Sequence, residues 1–423
     1  MQYIKKDLGS YNLHIIKTSK YKTVTMKVIF HSPIVKEEIT KRNVLSDILL
    51  QSTKNYSSKR DMIIESEELY AADIYNNTQR WGNYIMTSFT LQVLNDRYTE
   101  EGNLKKAIEF LHEVLFNPDV KNNKFNSDKL SLVKNNCKVA LSSLKENPRE
   151  YAITRLKEAY DKESPISYRM LGYEKDLEKI SAENLYEYYK KVIENDFVDI
   201  FVVGNVNPDE ILTIIKDNFK FRKIKKVRTP YEIPVKKPRS RRLLAKETTN
   251  NNQSKLSVAC PLSKMTDYEK NYPLILANII FGGYADSKLF KIAREKYSLC
   301  YTISSSLSKL DNLMLINAGI DRVNYNKTVE VSTKILEDLK KGKFTEKEIQ
   351  TAKQLYGTAI DSIEENPNNL INEYLTEQII GFENYKERQE IIKNVTKKEI
   401  VSVFKKIHMD TIFLLEGDNK WKL

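Results

Sequence analysis

Four histidines, three cysteines and two tryptophans are all that 423 residues contain of those types. The cysteines, Cys137, Cys260 and Cys300, are odd in number and far apart. That argues against a disulfide framework and fits a reducing compartment. No two of His14, His31, His112 and His408 stand three or four residues apart, so no helix presents a two-histidine metal face. His31 and His112 read as structural residues. Cys260 and Cys300 lack a neighbouring base that would make either a nucleophile. Glycine is scarce too, 12 residues against 25 tyrosines, which argues against a fibrous or disordered chain. No apolar run approaches a membrane span, so no membrane partner is expected. The N-terminal "MQYIKKDLGSYNLHIIK" lacks the apolar centre and cleavage site of a secretory signal. The expected location is the cytoplasm.

What is present is a globular composition, 41% hydrophobic and 30% charged, with a formal charge of +12. Much of the excess sits in "FRKIKKVRTPYEIPVKKPRSRRLLAK", Phe221 to Lys246. Prolines 230, 234 and 238 make this an extended connector, not a recognition helix. No zinc-finger spacing, helix-turn-helix or RNA-binding strand motif accompanies it. It reads as a solvated basic linker, and nucleic acid is not the expected partner.

The connector divides the chain into halves that resemble each other. "KFNSDKLSLVKNNCK" (124–138) resembles "KFTEKEIQTAKQLYG" (343–357), and "SLKENPREYA" (143–152) resembles "SIEENPNNLI" (362–371). "KISAENLYEYYKKVIENDFVDIFVVGNV" (179–206) resembles "NVTKKEIVSVFKKIHMDTIFLLEGD" (394–418). An ordered series of matches argues for duplication of a whole domain. Within each half a β-branched strand opens (23–30; 255–262) and an amphipathic helix follows (42–53; 271–283). Further strands (84–95; 312–320) and long helices (103–115; 326–341) come next. Each half ends with a helix capped by Ser181 or Thr396 and a strand ending in Gly204 or Gly417. The expectation is an α+β fold: two homologous, duplicated α/β sandwich domains, 1–222 and 247–423, joined by the linker 223–246.

The segment "LANIIFGGYADSKLFKIAREKYSLCYTISSS" pairs two glycines with a Ser-x-Leu-Phe helix and an Arg-to-Tyr spacing of seven. With the duplication, it resembles the M16 (pitrilysin/insulinase) metallopeptidase family, nearly end to end. The resemblance implies that Arg294 and Tyr301 reach a substrate carbonyl beside a zinc ion, where a guanidinium and a phenol stabilise developing negative charge. Taken alone, Arg294 would read as a helix C-terminal cap and Tyr301 as core. Gly282 and Gly283 become substrate-binding candidates that let backbone approach closely; a helix C-terminal cap is the equal alternative.

The first half departs from the family. Active members carry His-x-x-Glu-His on the helix after the first strand, two ligands on one face and a general base. In "TKRNVLSDILL" the ligand positions fall on Asn43 and Asp47 and the base position on Ser46. The third ligand, a Glu, would come from 130–148, where Val133 and Ala140 lie near the acidic positions and nothing acidic intervenes between Asp128 and Glu146. No metal ligand or catalytic residue is therefore expected in this chain, and zinc is expected only in a partner. Some members of the family are heterodimers like the mitochondrial processing peptidase, in which one subunit carries the zinc helix. The resemblance then implies a non-catalytic, peptide-binding subunit paired with an HxxEH-bearing homologue. The alternative is a pseudo-peptidase scaffold or peptide-binding homodimer.

Overall fold

The computed structural model describes residues 1–222 and 227–418. Its strands are β1 (Gln2–Asp7), β2 (Asn12–Lys17), β3 (Thr23–Pro33), β4 (Asp73–Trp81), β5 (Tyr84–Leu94), the short pair β6 (Val120–Lys121) and β7 (Lys124–Phe125), β8 (Phe197–Gly204), β9 (Leu243–Thr249), β10 (Ser254–Pro261), β11 (Cys300–Ser308), β12 (Leu313–Ile320) and β13 (Thr411–Gly417). One large sheet has the order β1-β2-β8-β3-β5-β4, the other β11-β12-β10-β13-β9. The run β2-β8-β3-β5-β4 corresponds strand for strand to β9-β13-β10-β12-β11. In both, the same pair is parallel, β2 with β8 and β9 with β13, among otherwise antiparallel neighbours. The duplication expected from sequence is present; among the described residues β1 is the strand added to the larger sheet, and the β6–β7 pair also lacks a counterpart.

Strand position follows composition. The middle strands β3 and β10 are buried on both faces, which is why "TVTMKVIF" and "LSVAC" read as continuous apolar runs. The edge strand β1 exposes Lys5, Lys6 and Asp7, charges that discourage pairing with another chain. Ser181 and Thr396 cap their helices as expected, each through a reciprocal capping box, with Asn184 and Glu399. The amphipathic helix of the first half starts earlier than expected, at Ile39, and ends at Ile48. Its counterpart is broken at Pro273, which has no N–H to donate, into Asp267–Asn271 and Pro273–Asn278. It then widens into a π-helical turn, Ile279–Gly283.

The described chain forms two compact units that do not coincide with halves 1–222 and 247–423. The first comprises Met1–Ser142, Arg169–Pro230 and Glu365–Asn372; the second comprises Ser143–Tyr168, Tyr231–Glu364 and the residues from Glu373 onward. The reason is the apolar face of helix Pro148–Tyr160. Its Tyr151, Ala152, Leu156 and Tyr160 share a buried cluster with Ala259 of β10, Leu313 and Leu315 of β12, and Phe413 and Leu415 of β13. The later segment makes the reverse exchange. Asn368 there donates its side-chain amide to the Tyr75 hydroxyl of the first unit at 3.0 Å.

The first four residues of the expected linker, 223–226, lie outside the described residues. The remainder is not a solvated spacer. Tyr231 and Ile233 are buried, and Ile233 donates its N–H to the Leu310 carbonyl at 2.7 Å. From Leu243 the chain is already strand β9. Four of its cations are engaged: Arg228 with Asp199 (2.7 Å), Lys236 with Asp161 (3.2 Å), Arg239 with Asp410 (2.5 Å) and Lys246 with Glu416 (2.6 Å). Buried carboxylates such as Asp199 and Asp410 require a cation close by, and the connector supplies them.

Candidate functional site

The three positions read against the metal motif, Asn43, Ser46 and Asp47, lie on helix Ile39–Ile48 of the first unit. Asn43 and Asp47, one turn apart, share a half-buried face, whereas Ser46 is buried. All three are consumed internally. Asn43 donates its amide to the Met170 carbonyl at 2.7 Å and the Ile39 carbonyl at 3.1 Å. Ser46 donates to the Asn43 carbonyl at 2.9 Å. Asp47 accepts from the Asn76 amide at 2.8 Å and lies 3.9 Å from the Cys137 thiol. Burial raises the Asp47 pKa above the usual carboxylate range, against the pull of these two hydrogen bonds. Burial, reinforced by Asp47, pushes the Cys137 thiol up to about 11. This donor set does not fit zinc, which wants deprotonated sulfur, imidazole or several carboxylates around one point. Among the described residues, no group of three or more His, Cys, Asp and Glu converges as a metal site.

The residue facing the motif is thus Cys137, not Val133 or Ala140. Val133 is buried in the first unit's core. Sequence spacing alone could not select Cys137, because its partner Asp47 is ninety residues away. His31 is structural, as expected, but in an unexpected way, and His14 shares its role. Each ring places Nε2 3.1 Å from a different oxygen of buried Asp199, which also accepts from Asn12 at 2.9 Å. Burial would raise the Asp199 pKa; the bonds from His14 and His31 and the charges of His31 and Arg228 overcome it and hold the carboxyl well below its ordinary range. Burial lowers the His31 pKa. His112 stacks on Phe116 at 4.9 Å.

The second constellation lies in the second unit. A second π-helical stretch, Phe290–Lys296, carries Arg294, whose guanidinium rests over the Phe290 ring at 4.6 Å. The chain then turns at Ser298, with φ of 50°, into β11. Cys300 pairs with Ile320 and Thr302 with Gly319, which leaves Tyr301 as the extra residue of a β-bulge. The bulge interrupts the alternation of Leu299, Tyr301 and Ile303 and turns Tyr301 outward, 58% exposed, its hydroxyl 3.4 Å from both oxygens of Asp321. Tyr301 is therefore not core. No hydrogen bond or cation–π contact joins Arg294 to Tyr301. Wide helical turns and bulges are the devices by which folds re-aim side chains at working surfaces.

Gly282 and Gly283 end the first π-helical turn, and neither adopts the left-handed φ of a C-terminal cap. Their need for glycine is close packing. A Cβ on Gly282 would lie 2.7 Å from Leu289 Cδ1 and 2.8 Å from the Ser305 backbone nitrogen of β11. Both glycines and Phe290 line a cavity of about 360 Å³, together with residues of β10, β11 and β12 and with Arg149 from the first half of the sequence. Arg149 and Lys255, on this wall, were not singled out by sequence; only the exchanged helix brings Arg149 here.

Residues 179–356 match the family described as "Peptidase M16 inactive domain". "Probable inactive metalloprotease YmfF" of Bacillus subtilis is 27% identical, over 98% of this chain and 97% of that one. The chain belongs to the M16 family. Its fold matches a solved "conserved protein" from Enterococcus faecalis V583 with a TM-score of 0.90 and 31% identity, covering 99% of this chain and all of that one. A solved "peptidase M16 inactive domain" from Pseudomonas fluorescens shares the fold, with a TM-score of 0.81 at 15% identity and 99% coverage of both chains. With its motif positions occupied as described, this M16 chain is an inactive peptidase-like protein. No described helix is long and apolar enough to cross a membrane.

Proposed function

We propose that the chain is the non-catalytic subunit of a two-subunit peptide-processing chamber. In this reading it pairs with an HxxEH-bearing M16 homologue and presents Arg294 and Tyr301 to the substrate carbonyl held at the partner's zinc. The supporting observation is the contrast between the two constellations. The metal-motif positions are consumed by internal hydrogen bonds, whereas Arg294 and Tyr301 are exposed, the one resting over the Phe290 ring and the other beside Asp321. Arg294 lies on an aromatic face and forms no ion pair among the described residues, so its charge is available to an incoming carbonyl oxygen. Three free cysteines, two of them buried, fit a complex that works in the reducing cytoplasm.

The test is native mass spectrometry of tagged protein recovered from its host, followed by kinetics of the recovered complex. A one-to-one complex with an HxxEH homologue is expected, cleaving peptides only when both subunits are present. A homodimer, or recovery with no zinc-bearing relative, refutes the heterodimer and leaves a peptide-binding scaffold.

A further inference from the structure

The cavity beside Gly282 and Gly283 carries a charge pattern that the carbonyl-binding role does not use. Arg149 and Lys255 both line it, and among the described residues its wall contains no Asp or Glu. The carboxylates of neighbouring strands are already occupied. Glu247 of β9 accepts from the Tyr151 hydroxyl and from Arg155 at 2.9 Å, and Glu416 of β13 pairs with Lys246 and Arg322. Lys255 reaches only the neutral side-chain oxygen of Gln253, and Arg149 is exposed with no ion pair among the described residues. Two cations share one wall, and burial, with the Arg149 charge adding to it, lowers the Lys255 pKa. Hydroxyl and amide groups from Ser257, Ser304 and Asn317 supply further polar contacts on the wall.

We infer that this cavity is a carboxylate-binding subsite for an extended peptide, with Arg149 and Lys255 as its cationic anchors. The volume lies in the range of ligand pockets, room for a few residues' side chains but not for a folded partner. The assignment of a peptide, in place of a free organic acid, rests on the proposed function through Phe290. The same ring lines the cavity and supports Arg294, so a chain whose carbonyl sits at Arg294 passes the cavity mouth. An arginine there offers the planar fork that matches a carboxylate in two hydrogen bonds.

The experiment measures binding of fluorescein-labelled decapeptides to the full-length chain without any partner. One peptide has a free C-terminus and no acidic side chain, one has internal glutamates and an amidated C-terminus, and one has neither. At least one carboxylate-bearing peptide is expected to bind, and the peptide lacking both is expected to bind at least tenfold more weakly. Arg149→Ala and Lys255→Met, which keeps the aliphatic stem, are each expected to weaken binding by about tenfold or more, the scale of one charge-assisted hydrogen bond. Loss on amidation identifies the terminal carboxylate; loss on replacing Glu by Gln identifies a side chain. Binding within twofold of wild type in the Arg149→Ala/Lys255→Met double variant overturns the subsite, as does no binding of any peptide. Arg294→Ala separates the two ideas. If it leaves both peptide affinity and turnover of the assembled complex unchanged while the cavity variants abolish binding, the subsite stands and the carbonyl role of Arg294 falls, since an oxyanion donor acts on turnover and not on ground-state affinity.

Discussion

Replacing Asp199 by Asn removes an anion that four side chains of the first unit are built around. It accepts from Asn12 (2.9 Å), His14 (3.1 Å) and Arg228 (2.7 Å), with the His31 ring nitrogen 3.1 Å away, while almost wholly buried. An amide of the same shape keeps one acceptor oxygen and sets an N–H donor against one of these partners. Breaking a buried pair costs about 3–5 kcal/mol. Arg228 is 28% exposed and recovers hydration, which places the expected loss near the lower end, about 3 kcal/mol. Trp81 lies in β4 of the same unit, so its fluorescence in a Trp421→Phe background follows that unit through urea. With a slope of about 2–3 kcal/mol/M, the midpoint should fall by roughly 1–1.5 M with the slope unchanged. The pH dependence carries a second signature. Because the folded Asp199 pKa is depressed, its contribution is complete above the unfolded value of about 4 and is lost as pH falls below it. His31 is depressed too, so below about 6.5 the unfolded chain binds a proton that the folded chain refuses, and stability begins to fall there. Asp199→Asn should flatten the limb below pH 4. A loss under about 1 kcal/mol, or an unchanged acid limb, refutes the assignment of Asp199 as the charge centre of this unit.

Arg294→Ala or Tyr301→Phe should lower turnover of the assembled heterodimer by roughly 10²–10³, the scale of one lost oxyanion donor, whereas a fall of only a few-fold returns the pair to a structural role. Gly282→Ala should destabilise the second unit by about 1–3 kcal/mol through overpacking against β11, read as a lowered thermal midpoint. Gly357→Ala should instead stabilise by up to about 1 kcal/mol, because that glycine is mid-helix. Its added Cβ meets only the flexible end of Gln389, at 3.3 Å. Native protein at pH 8 should react slowly with a thiol reagent at Cys137 and more slowly at Cys260, since burial pushes these thiols up to about 11 and about 12. A rapid stoichiometric reaction would contradict that environment. Thr396→Ala should cost about 1 kcal/mol in the same melt, the usual value of an N-cap.

The repeated strand order was legible because β3, β5, β8 and their counterparts carry their own hydrophobic patterns, and a pattern duplicated in order survives divergence. The caps Ser181 and Thr396 were legible because a capping box spans only four residues. That Asn43, Ser46 and Asp47 supply none of the expected His and Glu side chains was legible directly as residue types. What replaced it was not, since Asn76, Cys137 and Met170 reach Asn43 and Asp47 across tens of residues of chain. The bulge at Tyr301 was hidden for a different reason. An extra residue in a ladder is defined by the partner strand, and "SLCYTIS" alternates acceptably without it. The connector misled because charge and proline signal solvent exposure, while the carboxylates that draw Arg228 and Arg239 inward belong to distant strands β8 and the approach to β13. Arg149 was invisible as a site residue until its helix was seen on the other half's sheet.

That exchange of segments also constrains how the chain can be made. On the ribosome the first unit has all six strands of its sheet and most of its helices long before residues 365–372 emerge, so it waits, incomplete, through the synthesis of much of the second. The second cannot close over its sheet until the helix made two hundred residues earlier is recruited to it. Cutting the gene at the connector would therefore yield two fragments, each holding a piece of the other's fold, that regain stability only when mixed.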